Sequence, residues 1–363
     1  MADPFQSPPL VNQFLASPFI FFLRPIYQLL LALRSPPYTH GPSQPTIRIV
    51  CVSDTHTLRL ASVPDGDLLI HCGDMTNDGS RKDIQATIDW LKTLPHAKKV
   101  VIAGNHDGWL DPEIKKLLQI NGEEDEQQGE QDLDWGDIHY LQNSTITLSF
   151  PFPSSSDSDS IPNARTLTIH GVPQVPQLLP FIPPTMHAFQ YPRSRTSPPW
   201  PHPIPPETDV LISHSPPLHH LDLFPHSVGC SHLLNAVWRV RPALHVFGHA
   251  HAGRGVEPVF YDGAQRAWER LCTRRQETCV QWERGKKGWF AWLLHGGMWR
   301  DLVSWQVWRD VASVIWYAGQ GLLWTRVWGG KGRLGGEGWM VNAACMDGHG
   351  SGKLTGEATV IDL

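Results

Sequence analysis

Five short segments, well separated along the chain, contain side chains that can bind metal ions. They offer imidazole, carboxylate and amide groups, adjacent or two residues apart: Asp54-Thr55-His56, Gly73-Asp74, Gly104-Asn105-His106-Asp107, Ser213-His214 and Gly248-His249-Ala250-His251. Such a mixture of nitrogen and oxygen ligands suits manganese, iron or zinc better than calcium or an all-oxygen magnesium site. One segment alone would be an ordinary turn or a core histidine. Five in succession indicate a shared site.

The residues that precede these groups explain how the groups could meet. Each group follows a short run of β-branched or aliphatic residues, which is typical of strands buried on both faces: 47–52, 68–70, 100–103, 210–212 and 244–247. Helical patterns lie between the runs, at 81–94 and 229–240, so the sequence predicts an α/β fold with parallel pairing. Sites in such sheets form beyond the carboxyl ends of the strands, which would bring the five groups together.

The bulk composition is that of a globular chain with few charges. Of the 363 residues, 41% are hydrophobic and 18% are charged, which is enough to bury a substantial core. The formal net charge of -5 gives no electrostatic reason to expect a nucleic acid as partner. The six cysteines form no C-x-x-C pair, which favours reduced thiols and a cytoplasmic protein over a disulfide framework.

Changes in composition divide the chain into four parts. We predict an apolar, proline-rich N-terminal segment, a main domain, a basic tryptophan-rich insertion and a return to the domain, at 1–45, 46–263, 264–337 and 338–363. Shorter irregular insertions are predicted at 121–137, 151–163 and 192–206, because stretches rich in acidic, glutamine, serine or proline residues do not support a packed core.

Two of these parts leave their roles open. Residues 18–33 are largely apolar but contain Arg24 and Pro25, which favours a surface-packing or interfacial helix over a membrane anchor or a cleaved signal. The segment 264–337 holds ten of the sixteen tryptophans. It is either a genuine insertion, folded or poorly ordered, or translated non-coding sequence from a faulty gene model. Both parts permit weak attachment to a membrane, the alternative to a cytoplasmic location.

The metal-binding groups and the sequence around them resemble a known family. The calcineurin-like metallophosphoesterase superfamily has a signature similar to Asp54-x-His56, Gly73-Asp74, Gly104-Asn105-His106-Asp107, Ser213-His214 and Gly248-His249-Ala250-His251. The longer stretches around these motifs further resemble the MPPED (metallophosphoesterase-domain-containing) branch of this superfamily: "LLIHCGDMTNDGS", "VVIAGNHD" and "GCSHLLNAVWRVRPALHVFGHAHAGRG". The likeness covers roughly 46–263 and a C-terminal piece near 338–363. It implies a four-layer α/β/β/α sandwich of two mixed β-sheets flanked by helices.

The resemblance also implies a role for each candidate residue. A first divalent ion would be held by Asp54, His56 and His251, a second by Asn105, His214 and His249, and Asp74 would bridge the two. The implied activity is hydrolysis of a small-molecule phosphoester, in particular a phosphodiester such as a cyclic nucleotide, by a hydroxide that bridges the ions. His106 would be the general acid, and Asp107 would orient it.

The main alternative is a binding or scaffold protein that has this fold but little or no turnover. The segment 264–337 supports that alternative, because it follows the last predicted ligand and could recruit a partner. The remaining polar residues near the motifs are interpreted as structural (His71, His170 and His245), as lining the cleft (His219 and His220) or as phosphate contacts (Asn77 and Arg254).

Overall fold

The computed structural model describes most of the chain. The described residues are 10–11, 14, 17–37, 45–120, 132–152, 164–177, 187–223, 227–285, 301–327, 336–348 and 352–363. Parts of four predicted segments lie outside them: most of 1–16 and 38–44 of the N-terminal segment, 121–131, 153–163, and 286–300 and 328–335 of the tryptophan-rich segment. Residues 192–206, predicted to be irregular, form turns and bends.

The strands of the described part are short and spread over the whole chain. In chain order they are β1 (Arg48–Val52), β2 (Leu68–His71), β3 (Lys98–Val101), β4 (Ile138–Tyr140), β5 (Ser144–Pro151), β6 (Ala164–Val172), β7 (Val175–Pro176), β8 (Gln190–Tyr191), β9 (Val210–Ser213), β10 (Leu244–Phe247), β11 (Gly255–Val259), β12 (Gly338–Asn342) and β13 (Thr359–Asp362). The helices are α1 (Pro18–Leu33), α2 (Arg81–Thr93), α3 (Pro112–Ile120), α4 (Ser231–Val240), α5 (Gly263–Gly285) and α6 (Trp305–Arg326). Short 3-10 turns lie at Gly108–Leu110 and His251–Gly253.

The first sheet has five strands in the order β13-β1-β2-β3-β4. Strands β1 to β4 pair in parallel, and β13 closes the edge antiparallel to β1. Strands β1 and β2 are buried along almost their whole length. This burial explains their continuous apolar sequence, because a central parallel strand is covered on both faces.

The second sheet has six strands in the order β11-β12-β10-β9-β6-β5. Its centre is parallel, since β9 pairs in this way with both β6 and β10, whereas β5 pairs antiparallel with β6. A separate pair is formed by β7 and β8. The predicted α/β fold of two mixed sheets flanked by helices is confirmed.

Helix α2 illustrates how local sequence sets the bounds of an element. The hydroxyl of Ser80 caps its first turn by accepting a main-chain hydrogen bond. Its buried face is formed by Ile84, Ile88 and Leu91, at the spacing of one side of a helix. The helix ends ahead of Pro95, which disfavours helical geometry in the residue before it.

The chain divides into two compact units. One consists of residues 1–38, 222–227 and 258–339, and the other of residues 39–221, 228–257 and 340–363. The first unit therefore combines helix α1 with helices α5 and α6, which lie in two segments that the sequence analysis treated separately. None of the helices in the described part of the chain reaches the length and apolarity needed to cross a membrane.

Three helices form the core of the first unit. Helix α1 contributes Ile20, Leu23 and Tyr27, and the ring of Tyr27 stacks on Trp268 of α5 with ring centres 5.0 Å apart. Helix α6 adds Val307, Val314 and Ala318 to this apolar cluster. Each helix thus has one face whose burial stabilises the unit.

The cysteines whose side chains the structure describes are buried and form no disulfide bond. They are Cys51, Cys72, Cys230, Cys272 and Cys345. Burial raises the pKa of the thiols of Cys51 and Cys272 far above the usual value, since a thiolate is costly without water. The prediction of reduced cysteines is confirmed for these residues.

Candidate metal centre

The predicted metal-binding residues lie just beyond the carboxyl ends of five strands. Asp54 follows β1, Asp74 follows β2 and Asn105 follows β3, which are three neighbouring parallel strands of the first sheet. His214 follows β9 and His249 follows β10, which are neighbours in the second sheet. All of them belong to the same compact unit. The structure therefore brings together groups that are far apart along the chain, as the carboxyl-end rule requires.

A first group of potential ligands surrounds the end of β1. One ligand atom from each of Asp54, His56, Asp74 and His251 lies within 4.8 Å of all the others. Nε2 of His251 is 3.2 Å from Oδ1 of Asp54 and 3.3 Å from Nε2 of His56. Two imidazole nitrogens and two carboxylates thus converge on one point, which is a donor set that fits a divalent transition metal.

A second group shares one member with the first. Asp74, His214 and His249 also offer ligand atoms within 4.8 Å of one another. Nε2 of His214 lies 3.4 Å from Oδ2 of Asp74 and 3.1 Å from the amide oxygen of Asn105. Because Asp74 belongs to both groups, two ions held here would be neighbours with one carboxylate between them. The residues present fit a pair of divalent ions.

Several of these residues have an unusual backbone conformation. Asp54, His56, Asp74 and His249 have φ angles between 45° and 65°, in the left-handed region. Such a conformation costs on the order of 1–3 kcal/mol for a residue other than glycine, and it persists where the surroundings enforce it. Strain at four predicted ligands indicates that the fold positions these side chains at the expense of local stability.

Two glycines allow the backbone to approach the centre closely. A Cβ atom at Gly104 would overlap the main-chain nitrogen and the carboxylate of Asp74, and one at Gly248 would overlap the carboxylate of Asp54. Any side chain at either position would therefore displace a predicted ligand. The glycines in the sequence motifs serve this close packing.

The charges of the site favour bound cations. Burial alone would raise the pKa of Asp54, but the hydrogen bond and charge of His251 and the charge of His214 lower it to about 2. Burial opposes ionisation of Asp74 as well, yet its histidine neighbours hold its pKa well below the usual value. In return, the charge of Asp74 outweighs burial and raises the pKa of His214 to about 9. Two buried carboxylates that remain ionised create a field that attracts cations.

The imidazole of His106 lies beside the first group. Its ring centre is 4.9 Å from that of His56, and its main-chain nitrogen donates a 2.8 Å hydrogen bond to Oδ1 of Asp74. Its Nδ1 lies 2.9 Å from the main-chain carbonyl oxygen of Asn77. A carbonyl oxygen only accepts, so Nδ1 keeps its proton and Nε2 is the nitrogen that can gain or release one.

The carboxylate of Asp107 is buried and holds two loops together. It accepts hydrogen bonds from the main-chain nitrogens of Gly104, Met75 and Thr76 and from the hydroxyl of Thr76. Burial, and next the charge of Asp74, raise its pKa to about 6. The ring of His106 is instead held by the carbonyl of Asn77, so Asp107 positions the loop that carries His106 and not the imidazole itself.

Sequence reasoning missed two residues near the centre. His187 places its ring centre 5.2 Å from that of His106, although no motif marks it. Asn342 donates hydrogen bonds of 3.0 and 2.9 Å to the carbonyl oxygens of Leu221 and Ala250. Since Ala250 separates His249 from His251, Asn342 fixes the loop that carries both. Asn342 stands in the stretch "VNAACM", which resembles a sequence of the metallophosphoesterase-domain-containing branch, and this resemblance was the one available signal.

The other predicted residues have mainly structural contacts. His71, His170 and His245 are buried and lie within hydrogen-bond distance of the hydroxyls of Thr55, Thr145 and Ser213. His220 pairs with Glu257, and both it and His219 are largely buried. The guanidinium of Arg254 donates to the main-chain carbonyls of Ala344 and Glu357, while the side chain of Asn77 is exposed and donates to Asp78. A contact of Asn77 or Arg254 with phosphate stays a prediction.

Comparison with known proteins assigns the family. The sequence profile of the calcineurin-like phosphoesterases matches residues 47–253, more than half of the chain and all the candidate ligands. The chain belongs to the calcineurin-like phosphoesterase family, whose name indicates hydrolysis of phosphoesters and whose members typically bind divalent metals. Within the family it belongs to the metallophosphoesterase-domain-containing branch, as predicted.

Three relatives illustrate how far the similarity extends. UPF0046 protein K07C11.7 of Caenorhabditis elegans is 34% identical, over 62% of this chain and 69% of its own length. Human metallophosphoesterase domain-containing protein 1 is 36% identical, over 61% of this chain and 66% of its own length. The probable rhamnogalacturonate lyase C of Emericella nidulans is 39% identical over 62% of this chain, but the chain spans only 19% of that relative's length.

Proposed function

We propose that the protein is a dinuclear metal-dependent phosphoesterase. The observation that carries this proposal is the position of Asp74, whose carboxylate lies in both groups of ligand atoms. One ion would be held by Asp54, His56 and His251, the other by Asn105, His214 and His249, with Asp74 between them. Manganese, iron or zinc would suit these donors. Such ions, when bound, polarise a phosphoryl group and lower the pKa of water.

The chain's own side chains supply the remaining requirements. Asp54 and Asp74 stay ionised at neutral pH and so keep their affinity for cations. His106, held through Nδ1 by a main-chain carbonyl, can present a protonated Nε2 to the leaving oxygen as a general acid. The ring of His187 lies beside that of His106, with ring centres 5.2 Å apart.

The substrate class that we propose is a phosphodiester. A general acid at His106 suits any ester whose leaving group is an alcohol, monoester or diester, because an alkoxide leaving group needs a proton. Between these two, the likeness to the metallophosphoesterase-domain-containing branch favours the diester. We therefore propose a small phosphodiester, with cyclic nucleotides first among the compounds to test.

The alternative is a binding protein with little or no turnover. It is supported by the helical unit built from α1, α5 and α6, which contains none of the candidate ligands in its described part. Such a unit suits a recruiting role better than a catalytic one. Stoichiometric metal without hydrolysis of any phosphoester would favour this alternative.

The proposal is tested by replacing the shared carboxylate. For Asp74→Ala we expect loss of metal and a decrease of at least about 10³-fold in hydrolysis of bis(p-nitrophenyl) phosphate, because both ions lose a ligand. Metal content is measured by elemental analysis, and p-nitrophenyl phosphate serves as the monoester comparison. Asp89→Ala, which removes an exposed carboxylate of α2, should keep both properties. Normal hydrolysis by Asp74→Ala would refute the proposal.

A further inference from the structure

Helix α1 has apolar residues on its outer face as well as on its buried face. Phe22, Ile26, Leu29 and Leu33 recur at intervals of four, three and four residues, so they form one stripe along the helix. Their side chains are between 42% and 60% exposed. A surface helix normally places polar residues on this side, so the stripe is an exposed apolar patch.

Helix α6 shows the same arrangement with larger side chains. Its buried stripe of Val307, Val314 and Ala318 leaves the opposite side to solvent. That opposite side carries Trp305 and Trp316, which are 77% and 63% exposed, and continues through Leu323 and Val327. Exposed tryptophans are uncommon because of their large apolar area, and several on one helix indicate a surface that binds something.

The two helices belong to the same unit and contact each other. The ring of Phe19 packs edge-on against Trp308 with ring centres 4.6 Å apart. At the other end of the pair, Nε of Arg326 donates a 2.8 Å hydrogen bond to the carbonyl oxygen of Leu33. The stripes are thus presented by helices that support each other over their length.

The exposed charges on these helices are all positive. Helix α1 contains no acidic residue, and the one carboxylate of α6, Asp310, is fully buried beside Arg270 and Arg274. The exposed charges are arginines: Arg309, whose side chain is 54% exposed, and Arg326. Although the chain as a whole has a net charge of -5, the outer face of α6 is positive and that of α1 carries no charged residue. A partner must therefore accept apolar side chains and cations together.

We propose that the outer faces of α1 and α6 bind the surface of an anionic lipid bilayer. Tryptophan prefers the headgroup region, phenylalanine and leucine enter the acyl boundary, and arginine pairs with lipid phosphate. A second copy of the chain is a poorer partner, because it would bring Arg309 and Arg326 against arginines of the same kind. This inference does not depend on the proposed hydrolysis.

The test is flotation of the full-length chain with lipid vesicles. We expect binding to vesicles of phosphatidylcholine and phosphatidylserine at a 7:3 ratio, and binding at least about tenfold weaker to phosphatidylcholine alone. Binding to the anionic vesicles should fall as sodium chloride is raised from 50 mM to 500 mM, because salt screens exposed arginines. Equal binding to the two vesicle types, or no binding to either, would overturn the proposal.

Two single variants test whether vesicle binding depends on the two stripes or is non-specific adsorption of the protein. Leu29→Gln and Trp316→Gln each remove one exposed apolar side chain and should lower partitioning into the anionic vesicles about tenfold. Leu117→Gln, an exposed leucine of α3 in the other unit, is the matched control and should bind like the original chain. Circular dichroism checks that each variant is folded.

Sedimentation velocity tests whether a second copy of the chain covers the stripes. If lipid is the partner, we expect the same sedimentation coefficient for the original chain, Leu29→Gln and Trp316→Gln over a wide concentration range. A concentration-dependent dimer that both variants dissociate would overturn it in favour of a second copy. Unchanged vesicle binding by both variants would overturn it as well. Hydrolysis assays are separate, so a failure here leaves the proposed function untouched.

Discussion

His106 differs from three other imidazoles around the centre in the partner of its Nε2 atom. Nε2 of His56, His214 and His251 lies close to a carboxylate oxygen of Asp54 or Asp74. Nδ1 of His106 faces the main-chain carbonyl of Asn77, just as Nδ1 of His214 faces that of Cys72, but no carboxylate of the described residues pairs with Nε2 of His106. Nε2 of His106 is therefore the nitrogen left for proton exchange.

This distinction predicts how a substitution should behave. In His106→Gln we expect kcat for an alkyl phosphodiester to fall about 10²–10⁴-fold, the usual contribution of a general acid. For bis(p-nitrophenyl) phosphate the decrease should be much smaller, because p-nitrophenolate leaves without a proton. Metal content should be unchanged. His202→Gln, at an exposed site, is the control. An equal decrease with both esters would contradict the assignment.

The same residues show how far sequence reasoning reaches at this scale. The candidate ligands could be picked out because their chemistry lies in the side-chain type, and carboxylates and imidazoles are visible in the sequence; that they bind metal stays a prediction. The hydrogen-bond partner of His106 could not be predicted. Every residue has a main-chain carbonyl group, and nothing in the sequence marks that of Asn77. His187 was missed for a related reason: it comes close through the fold and stands outside the motifs.

At the scale of elements, central strands were predictable and edge strands were not. A strand such as β2 is apolar throughout because it is covered on both faces, and that composition is a local signal. The pairing of β1 with β13 joins the two ends of the domain, and no local sequence pattern predicts this pairing. Strand β5 alternates between exposed and buried residues, and its antiparallel partner β6 lies beyond an insertion.

Asn342, at the end of β12, links elements that carry the site. Its amide donates to the carbonyls of Leu221 and Ala250, so Asn342→Leu should remove both hydrogen bonds, while Ala250 keeps the one from the main-chain nitrogen of Gly253. We expect the free energy of unfolding to fall by about 1–3 kcal/mol. Affinity for metal should also fall, because Ala250 lies between two ligands. Chemical denaturation and metal titration measure the two effects. Unchanged metal affinity would show that this loop is fixed by other contacts.

The antiparallel pair of β5 and β6 should give a pH-dependent stability. Burial lowers the pKa of His170 from 6.5 to about 4, so between these values the unfolded chain binds a proton that the folded chain does not. The contribution of His170 to the free energy of unfolding is therefore fully present above about pH 6.5 and is lost as the pH falls towards 4. In His170→Gln the decrease in unfolding free energy between pH 7.5 and pH 5 should be smaller by about 1–2 kcal/mol. Urea denaturation at the two pH values measures it. An identical decrease in both proteins would exclude His170 as a source.

At the scale of the whole molecule, the sequence could not foretell that α1 joins α5 and α6. The apolar run at 18–33 and the tryptophan-rich segment are separated by the whole of the predicted main domain at 46–263. The buried face of α1 has no partner nearby in the sequence, so the sequence alone could not assign the run at 18–33 to a core. Their shared core, with Tyr27 stacked on Trp268, explains why both segments are so apolar.

The division into two units predicts that stability and metal binding respond to different substitutions. Asp310 of α6 is fully buried and pairs with Arg270 and Arg274 at 2.7 and 2.9 Å. Asp310→Ala leaves these arginines without their carboxylate, and because both are partly exposed we expect a cost of only about 1–3 kcal/mol. Gln320→Ala, at an exposed position of the same helix, is the control.

The measurement is thermal unfolding followed by the helical signal in circular dichroism, together with metal titration of the folded protein. The helical signal of Asp310→Ala should be lost at a lower temperature than that of Gln320→Ala. Its metal stoichiometry and affinity should match those of the original chain, because all seven candidate ligands lie in the other unit. Loss of metal from Asp310→Ala at a temperature where its helices are intact would mean that the helical unit contributes to the metal centre.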